Sequence, residues 1–468
     1  MKRFNYNLLA HVFVVSLLWL TACDVNKINR LKVSPNQLKF LSVDNTAKIV
    51  KVTTNLPTWT FEKSDEWFHV EQYDESLIVT VDDLVEADVS RKGTIRVTVG
   101  NSLDEDFEVK SVTVNIEQSS KIHIPRLRGV MIDPDFFKPE DLKALAGDWK
   151  ANHIRWQFNW GNDFPNGPAD TASIEEYNAW IDQQCEQLDK MLPELERCGV
   201  RVTLDLHTPP GGRLGKGLYE MRMFKEKQFQ DAFVATWQKL AQRYKDAQAI
   251  WSYDLLNEPM ESAIIFPVAG KDLNIQIEGI LNWRELALKT SKEIRKIDPD
   301  KTIVIEPAPG AEPYAFEGFV PFDKTEVPNV VYSVHMYLPH SFTHQGVKDF
   351  PLIGLVYPGL MPDGKYWDRE QIRNSLQAVR DFANDYDVAI YVGEFGSIRW
   401  APRNSSYRYL RDCIEIFEED GWDWAYHAFR EYDGWSAEHT TDQNNLNPAA
   451  EPTDRELLLR SWFEKNER

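Results

Sequence analysis

The run W-S-Y-D-L-L-N-E-P spans Trp251 to Pro259, and A-I-Y-V-G-E-F-G spans Ala389 to Gly396. Each opens on a short apolar stretch of the kind that forms a parallel strand buried on both faces. Each ends by presenting a glutamate, Glu258 in the first and Glu394 in the second. Working outward, the same pattern recurs at Leu127 to Ile132, His153 to Phe158, Arg201 to Leu206, Thr302 to Ile305, Val330 to Met336 and Asp423 to Phe429. Amphipathic stretches lie between them, at Glu175 to Arg197, Lys227 to Tyr244, Trp283 to Ile297 and Arg369 to Tyr386. Eight β-α units predict an α/β fold, a (β/α)8 TIM barrel over residues 121–468. A doubly wound open sheet is the rival architecture and needs fewer strands. In a barrel both glutamates stand at C-terminal strand ends, where such folds carry their chemistry. Two long segments follow strand ends, Met260 to Leu281 and Leu338 to Trp367. They are expected to shape a cleft, or else to be passive insertions.

Residues 31–120 have a different texture. Lys48-Ile-Val-Lys-Val-Thr, Ser76-Leu-Ile-Val-Thr-Val, Gly93-Thr-Ile-Arg-Val-Thr-Val and Ser111-Val-Thr-Val-Asn-Ile alternate with period two. Such runs, broken by Asn, Asp, Pro and Gly, predict a small all-β sandwich of immunoglobulin type. The segment also resembles the BACON domain of bacterial glycan-degrading lipoproteins. The resemblance rests on Leu56-Pro-Thr-Trp59, Glu66-Trp-Phe-His-Val70, Arg91-Lys-Gly-Thr94 and Val114-Asn-Ile-Glu-Gln118. It implies either glycan binding or a spacer. The spacer is the preferred reading, with Trp59 and Trp67 as core anchors.

The N-terminus reads as an export signal. Lys2 and Arg3 precede an apolar core from Leu8 to Leu20, short for a membrane span. Leu20-Thr-Ala-Cys23 resembles the lipobox of bacterial lipoproteins. That implies a signal peptide over residues 1–22, lipid on Cys23 and a tether over residues 23–30. A plain secretory signal is the alternative. A lipid anchor would hold the protein to a membrane of the bacterial cell envelope, on the periplasmic or the outer face.

The formal net charge is −20, with 73 acidic and 53 basic residues, which argues against nucleic acid as a partner. No C-x-x-C pair and no H-E-x-x-H occurs, so no zinc site is expected. Beyond Cys23, Cys185, Cys198 and Cys413 make an odd set, read as buried thiols. A bridge between Cys185 and Cys198 is possible by position. Gly211-Gly-Arg-Leu-Gly-Lys-Gly imitates a phosphate loop but is one residue short and lacks Ser or Thr after Lys216.

Two glutamates facing one cleft can break a glycosidic bond, one as acid and one as nucleophile. Glu258 would have to be protonated and Glu394 ionised, so their surroundings must push the two pKa values apart. The barrel segment resembles glycoside hydrolase family 5, the cellulase family, from about Arg126 onward. Asn257-Glu258-Pro259 matches the family's acid/base signature and Glu394-Phe-Gly396 its nucleophile signature. The resemblance implies that Arg155 and Tyr337 contact the nucleophile. It implies that Asn257 binds the substrate 2-hydroxyl and that His207 and His335 line the same subsite. His335 and Tyr337 are two residues apart, so a regular strand turns both to one side. Arg155 could instead pair with a structural carboxylate such as Asp205, and His207 could be a satisfied buried imidazole. The eighth strand departs from the family pattern, with His427 where a Trp is common; Trp435 is the candidate replacement ring. Glu306 and Asp133 also end strands and could bind sugar or hydrate the cleft rim.

The resulting expectation is a lipid-anchored, retaining, endo-acting β-glycosidase that needs no metal or organic cofactor. Its partner is a β-1,4-linked polysaccharide, a glucan first, with mannan and xyloglucan open. The alternatives are a non-catalytic surface glycan-binding lipoprotein and a transglycosylase. Oligomeric state cannot be read from the sequence.

Overall fold

The computed structural model describes residues 30–41, 45, 47–84, 90–100, 109–119, 126–161, 168–214, 220–260, 277–347 and 350–466. The signal segment, Cys23 and the tether before residue 30 lie outside the described residues. So do 215–219 of the glycine-rich loop and 261–276 of the loop after the fourth barrel strand. The chain divides into two compact units, Met1–Ile124 and Pro125–Arg468. Among the described residues no helix is long and apolar enough to cross a membrane.

The first unit is all β, with two four-stranded sheets. One sheet pairs Leu31–Ser34, Lys48–Thr54, Ser76–Val81 and Phe68–Tyr73, all antiparallel. In the other, Gln37–Leu41 runs parallel to Lys110–Ser119, which pairs antiparallel with Ser90–Val99, and that with Thr60–Lys63. Alternate residues of both sheets fill one core, among them Val50, Val52, Phe68, Val79, Ile95, Val97, Val114 and Ile116. Trp59 and Trp67 are partly buried and pack against that core, and the Arg91 guanidinium covers Trp67 at 4.5 Å.

The second unit is a closed barrel of eight parallel strands. In order they are Arg128–Ile132, His153–Gln157, Arg201–Asp205, Ile250–Asp254, Thr302–Ile305, Val330–Met336, Ala389–Phe395 and Asp423–Tyr426. The eighth strand pairs with the first and closes the ring. Their outward apolar side chains meet the surrounding helices in one continuous core that includes Ile154, Trp156, Val202, Leu204, Tyr253 and Ile303. The barrel interior is partly polar. His153 Nε2 lies 2.9 Å from the Tyr391 hydroxyl, and Thr203 Oγ1 lies 2.8 Å from Ser252 Oγ. Val304, Tyr391 and Ala425 form a separate buried group there.

The helix after the second strand, Ile174–Cys198, shows how local chemistry sets its limits. Ser173 accepts from the Glu176 N–H while the Glu176 carboxylate accepts from the Ser173 N–H, and Gly199 ends the helix at φ 69°. Cys198, its last residue, is only half-buried, unlike Cys185 and Cys413. The expectation of three buried thiols therefore holds for two. Cys185 is a free thiol, so the bridge to Cys198 does not form.

One expected helix is two. Arg369–Ser375 and Gln377–Tyr386 meet at Leu376, whose φ of −91° and ψ of 5° leave the helical region. The Arg380 guanidinium takes the Arg373 carbonyl at 2.7 Å, and burial of Leu376 fixes the turn.

Candidate active site

Arg155, on the second strand, is the hub of the barrel mouth. Its side chain is fully buried. Nε donates to Asp254 Oδ2 at 2.9 Å, Nη1 to Glu394 Oε1 at 2.7 Å, and Nη2 to Glu306 Oε1 at 2.8 Å and Asn257 Oδ1 at 3.1 Å. Asp205 Oδ1 lies 3.1 Å from Nη2. The two readings of Arg155, nucleophile contact and structural pairing, both describe what is there. Burial pulls its guanidinium down, but the surrounding carboxylates outweigh that and hold it charged. Burial also drives the Asp254 carboxyl well up, with the neighbouring Glu306 charge adding to it.

Glu394 sits beside His335 because of a register shift. The sixth and seventh strands pair Val334 with Val392, then skip Gly393 and pair His335 with Glu394. Gly393 is required by the close approach. A Cβ there would lie 2.6 Å from Ser333 Oγ and 3.0 Å from His335 Nε2. Tyr337 donates to Glu394 Oε2 at 2.9 Å. Its hydroxyl also meets His427 Nδ1, which lies 3.4 Å from the same Glu394 oxygen. Burial pushes the Glu394 carboxyl up, but His335, His427 and Arg155 together hold it well below the usual carboxylate range.

Glu258 reaches the same space from the fourth strand. Its side chain is 32% exposed, against 5% for Glu394. Its backbone is left-handed, with φ 43°, a conformation that costs a residue bearing a Cβ on the order of 1 kcal/mol. His335 Nδ1 lies 3.0 Å from Glu258 Oε1 and 3.9 Å from Glu394 Oε1. One ligand-type atom from each of Glu258, His335 and Glu394 falls within 4.8 Å of the other two. That spacing could hold a cation. Here the positive charge is the imidazolium of His335, which Glu306 and Glu394 hold protonated well above the usual range despite burial.

The electrostatics match the expectation for one glutamate only. Glu394 is ionised, but Glu258 is lowered as well. Burial pushes its carboxyl up and the Glu394 charge adds to that, yet the hydrogen bond and charge of His335, with the Arg213 charge, outweigh both. The proton of this dyad therefore rests on His335, next to Glu258, rather than on Glu258 itself.

Glu306 does not reach the cleft rim. It is fully buried, accepts the Glu258 N–H at 2.7 Å, and lies 3.1 Å from His335 Nε2. Asp133 is also buried, and its Oδ1 turns back to accept the Asp135 N–H. Burial pushes its carboxyl up to about 6. His207 is neither free nor wholly buried. Nδ1 lies 2.9 Å from Asp205 Oδ2, and Nε2 lies 3.3 Å from the Asn257 side-chain nitrogen, so it ties Asn257 to the barrel.

The eighth strand delivers His427 into the site. Trp435 stacks on the His427 ring, with centroids 5.7 Å apart and planes 16° apart, and its ring is 6.3 Å from that of Tyr337. His427 Nε2 lies 3.4 Å from Glu431 Oε1, while Gln157 donates to Glu431 Oε2 at 2.9 Å. Burial pulls the His427 imidazole down, but Glu431 and Glu394 push it up to about 10.

Every expected site residue of the barrel is brought to this mouth. Asp254, Glu431 and Arg213 were not expected here, Asp205 pairs with Arg155 as one of the two readings had it, and Glu306 is buried rather than at the rim. Asp254 did carry a signal, since it closes a buried strand run three residues before Asn257. Chemically, the mouth holds an ionised carboxylate and a protonated imidazole–carboxyl dyad facing one small space.

Known proteins resemble this chain in sequence and in fold. Cellodextrinase A of Ruminococcus flavefaciens is 28% identical over 293 residues, which cover 61% of this chain and 76% of that protein. Endoglucanase C of Acetivibrio thermocellus is 24% identical over 307 residues, covering 61% of this chain and 81% of that protein. The Thermotoga maritima Cel5A structure with cellobiose superimposes with a TM-score of 0.51 at 21% identity, over 71% of this chain and 95% of that one, and so shares the fold. The model of the cellulase family, glycosyl hydrolase family 5, matches residues 116–433, well over half of the chain. The chain belongs to that family and is a glycoside hydrolase.

Proposed function

We propose that the protein is a retaining, endo-acting β-glycosidase that cleaves a β-1,4-linked glucan. The observation that carries this reading is the pairing of Glu394 with Glu258, with an oxygen of each within 4.8 Å. Retaining enzymes keep their two carboxyl groups about 5–5.5 Å apart, whereas inverting enzymes leave room for a water between them. The names of the relatives, cellodextrinase and endoglucanase, favour a glucan as substrate.

In the first step a Glu394 oxygen attacks the anomeric carbon and the glycosidic C–O bond breaks. The leaving oxygen takes a proton from Glu258, which is resupplied from His335 Nδ1. Tyr337 and Arg155 hold Glu394 in line, and Asn257 orients the sugar 2-hydroxyl. In the second step Glu258 removes a proton from water. The water oxygen attacks the same carbon, and the ester bond to Glu394 breaks. The proton returns to the dyad. Trp435, backed by His427, supplies the ring against which the sugar rests.

The first unit is proposed to be a BACON-like spacer, and Cys23 a lipid anchor to the cell envelope. The partly buried setting of Trp59 and Trp67 supports a spacer over a binding face.

The test is reducing-end release by the purified chain on glucans, mannans, xylans and xyloglucan, with Glu394→Gln alongside. Activity on β-1,4-glucan that is lost in the variant is the expected result. Activity on another backbone alone overturns the substrate. Silence of the folded wild type on every polymer overturns the β-1,4-glycosidase reading.

A further inference from the structure

The glycine-rich segment after the third barrel strand imitates a phosphate loop in sequence, and its Arg213 is aimed at the catalytic loop. Gly211 and Gly212 both have left-handed backbone, at φ 82° and 68°. A Cβ on Gly212 would lie 1.9 Å from Asp170 Oδ1, so the turn presses against the segment before the long helix. From that support the Arg213 guanidinium reaches three main-chain carbonyls. Nη2 donates to the Asn257 oxygen, Nη1 to the Glu258 oxygen at 3.4 Å, and Nε to the His207 oxygen at 3.3 Å.

These contacts bracket Glu258. The peptide before its Cα is gripped twice, its carbonyl by Arg213 and its N–H by the Glu306 carboxylate. The peptide after its Cα is gripped by Arg213 again. The φ and ψ angles of a residue are the rotations between its two flanking peptide planes, so pinning both planes fixes both angles. At φ 43° Glu258 would otherwise relax toward the favoured right-handed or extended regions. That relaxation would swing the carboxyl away from His335 and from the leaving oxygen.

We infer that Arg213 is a positioning residue for proton transfer by Glu258, acting through the main chain on both sides of that residue. The inference rests on the reading of Glu258 as acid/base. Arg213 contacts neither Glu394 nor a reacting atom. Its loss should therefore weaken proton donation while sparing attack by the nucleophile. A misplacement on the order of 1 Å is enough to cost about 100-fold in rate.

The experiment compares wild type, Arg213→Met, Arg213→Lys and Glu258→Ala on cellotetraose and on 2,4-dinitrophenyl β-cellobioside. The sugar leaving group needs a proton; dinitrophenolate does not. For Arg213→Met the expected kcat/KM falls about 100-fold on cellotetraose and less than about 3-fold on the dinitrophenyl substrate. On the latter, kcat and KM fall together as the glycosyl-enzyme accumulates, and azide restores turnover by attacking the anomeric carbon in place of water. Arg213→Lys keeps a donor for one carbonyl and recovers part of the cellotetraose activity. Equal losses on both substrates, or none, overturn the inference. Should Arg213→Met fail to fold, the same leaving-group comparison on Arg213→Lys decides. Glu258→Ala separates the two ideas. If it shows no leaving-group dependence, the acid/base reading itself fails; if it does and the Arg213 variants do not, only the role of Arg213 fails.

Discussion

His335 Nδ1 lies 3.0 Å from Glu258 Oε1, so an imidazole and a carboxyl share one proton at the cleft. The pair titrates as a unit rather than as two separate groups. His335 keeps that proton to a pH well above its ordinary value, because Glu306 and Glu394 surround it. Its charge is also the largest of the charges holding Glu394 down against burial. Replacing it by Asn moves both limbs of the kcat/KM profile. The acid limb rises, because Glu394 loses its largest stabilising charge and needs a higher pH to ionise. The alkaline limb falls, because the proton now sits on a carboxyl alone, even though that carboxyl is freed from the lowering hydrogen bond. A pH–rate profile on a soluble oligosaccharide checks this. A bell of unchanged width removes the shared-proton account.

The eight strands were legible because parallel strands buried on both faces read as unbroken apolar runs, and their observed bounds stay close to those runs. Glu258 and Glu394 were legible because each closes such a run. The surroundings were not, for a physical reason. Glu306 and Arg213 act on main-chain groups of Glu258, 48 and 45 residues away, and a main-chain N–H or carbonyl leaves no mark in the sequence of its partner. The lowered state of Glu258 was hidden likewise. It depends on a contact with His335, which stands two strands away around the barrel and 77 residues on in the chain. The split at Leu376 was missed because apolar spacing continues through it while only the dihedral angles change.

Arg155 carries a buried charge shared among Asp205, Asp254, Glu306 and Glu394. Arg155→Met is expected to cost about 3–5 kcal/mol of stability near neutral pH, since it strands carboxylates in a dry interior. Lys cannot replace the fork and should recover little. The loss should shrink as pH falls, because protonation relieves the stranded carboxylates. Urea unfolding of both variants at two pH values measures it. A near-neutral Arg155→Met would remove the account of the barrel mouth.

His427, pushed up to about 10, gives a window opposite to that of a carboxylate. An imidazole whose folded pKa lies above its unfolded value of about 6.5 stabilises fully below that value. The stabilisation is lost as pH rises from about 6.5 toward 10. His427→Gln should therefore narrow the gap to wild type across that interval. Thermal midpoints collected between pH 6 and 10 test the slope. Parallel curves for the two proteins would show that His427 does not carry the charge in the folded state.

Gly393 offers a way to separate packing from chemistry at the nucleophile. An added Cβ meets two neighbours, Ser333 Oγ at 2.6 Å and His335 Nε2 at 3.0 Å. Gly393→Ala should thus cost about 1–3 kcal/mol through overpacking and also displace His335 from Glu258 and Glu394. Ser333 Oγ is buried without a hydrogen-bond partner among the described residues, so Ser333→Ala removes the nearer clash at small expense. The double variant should regain most of the stability. Activity should stay low, because the methyl still presses on the His335 ring. Denaturation midpoints and kcat/KM on one oligosaccharide, taken for both single variants and the double, resolve the two effects. Recovery of both together would mean that the placement of His335 tolerates the shift and that the close approach of Gly393 serves packing alone.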